Sequence, residues 1–160
     1  MVETHSLETI IKEHPFFKGL AEPYVKLVAG CVTNARFDPG QMVFRTGEAA
    51  DHFYIIRQGR VGLEIWSAER GPITMQTFGN DDVFDWSWLF PPYRWQFDAR
   101  ALELTRVFAL DAKCLRDKCD KDHDFGYEMM KRFSTIMIDR LEATRIQLLD
   151  LYKTATKKPE

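Results

Sequence analysis

No apolar run in this 160-residue chain approaches the roughly 20 residues that a bilayer span requires, so no transmembrane helix is expected. A basic excess is missing too: 22 Lys and Arg face 24 Asp and Glu, for a formal net charge of -2. Proteins that grip polyanions draw their non-specific affinity from clustered positive charge, so direct DNA binding is not expected. Met1 to Leu7 holds polar and acidic residues where a secretory signal would have a basic start and an apolar stretch. Cysteines number only three, Cys31, Cys114 and Cys119, with no Cys-x-x-Cys pair. A secreted disulfide framework uses an even number, so a reduced, cytoplasmic chain is expected. Gly-x-Ser-x-Gly, a Walker loop and a dinucleotide fingerprint are all absent, which argues against an enzyme. No internal repeat or long linker divides the chain, and its length suits one domain.

What is present is 45% apolar residues, enough for a sizeable core. Three stretches differ in hydrophobic period: N-terminal helices over 1–34, a β region over 35–111, and C-terminal helices with a tail over 112–160. Ser6 is placed to cap a first helix, with Leu7, Ile10 and Ile11 at helical spacing, and His14-Pro15 should stop it. A second helix fits Glu22 to Cys31. Short Val-, Ile-, Phe- and Tyr-rich runs follow: 41–44, 52–57, 60–66, 73–78, 97–103 and 105–110. The turns Pro39-Gly40, Thr46-Gly47, Gln58-Gly59 and Arg70-Gly71-Pro72 separate the earlier runs, a spacing that suggests an antiparallel sandwich or barrel. Asp111 can cap a helix through about Lys118, and Asp122 or Asp124 can start a longer one. The tail from Lys153 to Glu160 is polar and expected to fray.

Along that last helix Met130, Phe133, Met137, Leu141, Thr144, Leu148 and Leu151 follow steps of 3, 4, 4, 3, 4 and 3. Such a seam, near a 3.5-residue period, serves either packing on the chain's own β domain or pairing with a second copy. Ile138, Ile146 and Leu149 add apolar surface beyond one contact, which favours a homodimer through this helix.

Four segments carry a family resemblance: His14 to Leu20, Phe37 to Phe44, Gly47 to Ile56, and Gln58 to Val61. In this order and spacing the chain resembles a cyclic nucleotide-binding domain over about residues 14–150. The resemblance implies an α+β fold: an antiparallel, jelly-roll-like β-roll flanked by N-terminal helices and a long C-terminal helix. It further implies a regulatory role in signal transduction, with a phosphate-binding cassette and a final helix that lids the ligand or pairs subunits. In that family the cassette runs approximately Phe-Gly-Glu, a short helix, then Arg, a small residue and Ala. The glycine admits the phosphate, the glutamate accepts from the ribose hydroxyl, and the arginine pairs with the phosphate.

Anchored on Val83-Phe84 and Arg100-Ala101, this cassette departs from that pattern. Asp85 stands at the glycine position, Trp86 at the glutamate and Trp95 at the arginine, with Arg94 one residue early. Loss of a charge-assisted arginine contact removes about 1.5–3 kcal/mol, roughly ten- to a hundredfold in affinity. Asp85 adds a carboxylate where an anion would sit, or caps the short helix through Ser87 and Trp88. Weak or absent binding of cyclic AMP and cyclic GMP in the usual mode is therefore expected. The alternative is a genuine cyclic-nucleotide regulator of the catabolite-activator type, with Arg94, helped by Gln96, swung into the pocket.

Between Phe84 and Phe97 seven of fourteen residues are aromatic, alternating on either side of Pro91-Pro92. Alternation alone reads as a hairpin, whereas the resemblance calls for one helical turn over Trp86 to Phe90. Three roles stay open for these rings. They fill the old pocket in a structural or partner-binding module, they stack a flat apolar ligand between Trp86 and Trp95, or they form an ordinary extra core. Cys119 and His123, four apart, could share a helix face. Cys114 lies about 140° round the helix from Cys119, a poor start for a tetrahedral metal site. Activators of the catabolite-activator type add a helix-turn-helix after the long helix. Too few residues follow Asp150 for one, and Lys153, Lys157 and Lys158 form only a short basic tail.

Overall fold

The computed structural model describes residues 2–156, with side chains from Leu7 onward. Helices α1 (Val2–Glu13) and α2 (Glu22–Ala29) precede eight strands, and α3 (Ala112–Lys121) and α4 (His123–Ala155) close the chain. The strands are β1 (Val32–Phe37), β2 (Met42–Phe44), β3 (His52–Gln58), β4 (Val61–Ser67), β5 (Gly71–Phe78), β6 (Val83–Phe84), β7 (Asp98–Ala101) and β8 (Thr105–Asp111). They form two four-stranded antiparallel sheets, ordered β1-β8-β3-β6 and β2-β7-β4-β5. The α+β roll implied by the resemblance is the fold observed.

Apolar side chains from both sheets meet between them: Tyr54 and Ile56 of β3, Val61 and Leu63 of β4, and Val107 of β8 are buried there with Phe78 and Phe84. A buried carboxylate on β4 is paired. Glu64, 5% exposed, accepts from Arg100 Nε at 3.1 Å, and Arg100 also donates to the Gly40 carbonyl. The β3–β4 turn needs glycine: at Gly59 φ is +119°, and a Cβ there would lie 2.5 Å from Thr105 Oγ1.

Several expectations are corrected. β1 begins at Val32, inside the stretch read as helical; it is polar at Thr33, Asn34 and Arg36, and only its partner β8 supplies the continuous apolar run. The two-residue β6 was not anticipated. α1 starts ahead of Ser6, whose side chain lies outside the described residues. α4 stays helical to Ala155, beyond the expected start of the frayed tail, and residues 157–160 lie outside the description. The caps are found as read: Asp111 accepts from Cys114 N at 2.7 Å, and Asp122, not Asp124, accepts from Phe125 N at 3.1 Å. Because Asp122 breaks the helix, Cys119 and His123 sit on different helices instead of sharing one face.

The unpaired cysteines are also corrected, since Cys31 and Cys114 form a disulfide with Cα atoms 5.8 Å apart. The β1–β8 ladder brings them together: Val32 pairs with Leu110, and Asp111 N donates to the Cys31 carbonyl at 2.8 Å. Cys119 remains a free thiol, pushed up to about 11 by burial and, secondarily, by Asp120 and Asp122.

His14-Pro15 ends α1 and turns the chain onto the roll. His14 is buried; its Nδ1 accepts from Phe16 N at 3.1 Å, and its Nε2 lies 3.6 Å from Asp81 Oδ1. Burial holds the imidazole below its ordinary value of 6.5, while Asp81 pulls the other way. The folded state thus resists a proton that the unfolded chain accepts. This contribution is complete above pH 6.5 and is lost as pH falls towards the lower folded value, with a slope of at most about 1.4 kcal/mol per pH unit. Melting followed from pH 7.5 to 5 should show this limb, and His14→Gln should flatten it; equal slopes would refute it.

Candidate functional site

The cassette begins directly after β6 with a sharp turn at Asp85. Asp85 adopts φ +69°, a left-handed conformation that aspartate tolerates better than most residues. Its Oδ1 fixes the following turn by accepting from Trp86 N (2.6 Å), Ser87 N (3.1 Å) and Ser87 Oγ (2.9 Å). Leu89 N then donates to the Trp86 carbonyl at 3.0 Å, so the segment is a single turn and not one arm of a hairpin.

The seven aromatics divide among different surroundings. Trp88 is fully buried, stacked on Phe53 at 5.3 Å and edge-on to Phe133 at 5.0 Å. Trp95 is buried on the other side, stacked on Phe44 at 3.8 Å. Phe84 is core, stacked on Phe78 at 5.7 Å. Trp86 and Phe97 are half-buried and line a cavity. The expected slot between Trp86 and Trp95 is therefore corrected: Trp95 belongs to the core and is not in the wall that Trp86 lines.

That cavity, about 370 Å³, lies between the β4–β5 sheet and α4. Leu63, Met75 and Gln76 come from the sheet, Trp86 and Phe97 from the cassette, and Met137, Arg140, Leu141, Thr144 and Gln147 from α4. A recess of about 40 Å³, sharing Leu63, Gln76, Trp86, Phe97 and Arg140, adds Asp85 and Phe78. Helical spacing brings Met137, Leu141 and Thr144 to one face of α4, and that face covers the roll. Of the expected dimer seam Phe133 is packed within the chain, at 1% exposed, and Met137 is half-buried, whereas Met130 and Leu141 stay 38% and 51% exposed.

Arg140 escaped the sequence reading, although its place beside Leu141 in the seam was a signal. Its terminal nitrogen donates to the Val83 carbonyl at 2.7 Å, and its guanidinium lies 4.0 Å above the Phe78 ring. Burial lowers its affinity for its proton, with Asp82 and Asp139 opposing. On its other side is a charged cleft of about 390 Å³ lined by Asp81, Asp82, Asp139 and Arg132 among others. Arg94 is elsewhere: it is exposed and donates to the Gly47 carbonyl at 2.8 Å, and Gln96 donates to the Arg94 carbonyl. Ser87 serves the Asp85 turn.

With this geometry in place, the sequence matches the family model of the cyclic nucleotide-binding domain over residues 35–122. The chain belongs to the cyclic nucleotide-binding domain family. A domain of this family from Methylobacillus flagellatus superposes with a TM-score of 0.76 at 13% identity, covering 93% of this chain and 84% of that one. A Geobacter metallireducens protein named for cyclic nucleotide binding gives 0.73 at 23% identity, covering 88% and 99%. The catabolite activator protein of Thermus thermophilus gives 0.67 at 21% identity, covering 86% of this chain and 63% of that one. At these identities the likeness is one of fold. No protein of curated function matches the sequence significantly. No helix among the described residues is long and apolar enough to cross a membrane.

Proposed function

We propose that this cyclic nucleotide-binding domain is a non-catalytic regulatory module that binds cyclic AMP and cyclic GMP weakly or not at all and responds to another small ligand. The observation that carries this reading is Asp85. Its side chain occupies the turn where a phosphate would need open backbone N–H groups, and its Oδ1 already takes those of Trp86 and Ser87. Arg94, bonded to Gly47 on the exterior, supplies no guanidinium to the cavity. An anion placed there would meet the Asp85 carboxylate, and the Arg140 guanidinium beside it is already engaged by the Val83 carbonyl and the Phe78 ring.

The signal would pass through α4. Met137, Leu141 and Thr144 wall the cavity, while Leu148, Leu149 and Leu151 lie exposed further along the same helix. A ligand entering the cavity pushes on the first set and so moves the second, which we assign to pairing with another copy of the chain. Differential contact with the helix in its two positions is what gives a ligand control of the equilibrium.

A thermal melt with cyclic AMP or cyclic GMP at about 1 mM tests the ligand claim. A site with Kd near 10 μM would gain roughly 2.7 kcal/mol, or about 5–10 °C. The expected result is no shift with either nucleotide. A shift of that size would establish a working nucleotide pocket instead, and no response to any small ligand would favour a protein-interaction module.

A further inference from the structure

Two residues that line the recess each carry a buried polar atom that bears on what the ligand is. Asp85 Oδ1 is occupied by the turn, but Oδ2 is buried and has no hydrogen-bond partner among the described residues. Arg140 Nε is in the same condition, while its guanidinium is held in place by the Val83 carbonyl and the Phe78 ring. Both residues line the recess that continues the main cavity. Buried acceptors and donors are almost always satisfied in folded proteins, so a pair left open at one pocket marks where a ligand would complete them. Around them the walls are aromatic at Trp86 and Phe97 and aliphatic at Leu63 and Leu141.

We infer that the cavity takes a planar, largely apolar heteroaromatic molecule that donates an N–H to Asp85 Oδ2 and offers a ring nitrogen or carbonyl to Arg140 Nε. This rests on the reading above that the cavity is a ligand site not built for a cyclic phosphate. The carboxylate selects a donor, the flat rings select a plane, and the volume of about 370 Å³ lies within the range of small-molecule pockets. A ligand lacking the N–H would leave Oδ2 buried without a partner, which is how a polar site rejects an analogue.

The probes are 2-aminobenzimidazole, which presents N–H groups beside a ring nitrogen, and 1-methylbenzimidazole, of similar size and shape but without an N–H. Binding to the whole chain is followed by calorimetry and by quenching of tryptophan emission. The expected result is saturable binding of 2-aminobenzimidazole at least about tenfold tighter than 1-methylbenzimidazole, the scale of one hydrogen bond to a charged group. Asp85→Asn keeps an Oδ1 acceptor for the turn and replaces Oδ2 by a donor, so it should abolish the preference. Leu141→Trp, which fills the cavity from α4, should weaken both probes. Equal affinity for the two probes in the wild-type chain, binding of neither, or a preference unchanged in Asp85→Asn would each overturn the inference. Cyclic AMP, run alongside, separates the two levels: its binding would overturn the reading of the site itself, whereas a failed probe preference with cyclic AMP silent would overturn only the donor assignment.

Discussion

Replacing Trp88 by alanine is expected to destabilise the domain by about 3–5 kcal/mol, the usual cost of emptying a large buried aromatic site. For a chain of this size that is a fall of roughly 10–15 °C in Tm. The indole is fully buried between Phe53 of β3 and Phe133 of α4, so it joins the cassette, one sheet and the long helix. Its backbone is tied as well, since Arg116 of α3 donates to the Trp88 carbonyl and lies 4.1 Å above the Tyr93 ring. Trp86→Ala supplies the contrast: this ring is half-buried against the cavity and should cost well under half as much. Melts followed by circular dichroism decide the matter. If Trp88→Ala melted within about 2 °C of the parent, on the same scale, the cassette would not be part of the core.

The second large effect concerns the carboxy-terminal half of α4. Gln147 donates to the Met75 carbonyl at 2.9 Å, anchoring the helix to β5. Beyond that point Leu148, Leu149, Leu151 and Tyr152 are 52%, 53%, 67% and 65% exposed. The helix as a whole runs about 50 Å, long enough to lid the roll with one half and meet a partner with the other. We expect a dimer at tens of micromolar by light scattering. Each leucine buried in such a seam contributes about 1.5–3 kcal/mol, and two-fold symmetry counts every substitution twice. Leu148→Glu with Leu151→Glu should therefore weaken association by at least about a thousandfold. Tm measured on the dilute monomer should hardly change, because neither side chain belongs to the core. A wild-type chain that scatters as a monomer would remove the pairing half of the proposal.

How much of this was legible depended on how local the determinant was. Asp111 and Asp122 could be read as caps because an N-cap works within three residues. Most strands could be placed because Gly40, Gly47, Gly59 and Gly71 all adopt the positive φ that their turns require. β1 was not legible, since an edge strand with Thr33, Asn34 and Arg36 shows no apolar alternation until β8, some seventy residues on, pairs with it. The aromatic alternation from Phe84 to Phe97 misled for a related reason: the rings point to three different packings, and period alone assigns them one face.

The site was half legible. Asp85 and Trp86 could be found as departures from a known cassette, and both line the cavity or its recess. Arg94, Gln96 and Trp95 could not be told from ligand-contacting residues by position alone, because a turn of one residue more or less decides whether a side chain faces the cavity, the solvent or the core. Arg140 reaches the site only through the packing of α4 on the roll, 55 residues from Asp85 in the chain.

By itself, then, the sequence determined the helix caps, the glycine turns and the family to which the chain belongs, all of which rest on short-range stereochemistry. Tertiary structure alone decided that Cys31 meets Cys114, that Trp88 and Trp95 are core while Trp86 is wall, and that α4 lids its own roll before running free. Those outcomes depend on which distant surfaces exclude water from one another, and burial of that kind is a property of the assembled sheets and helices, not of any segment within them.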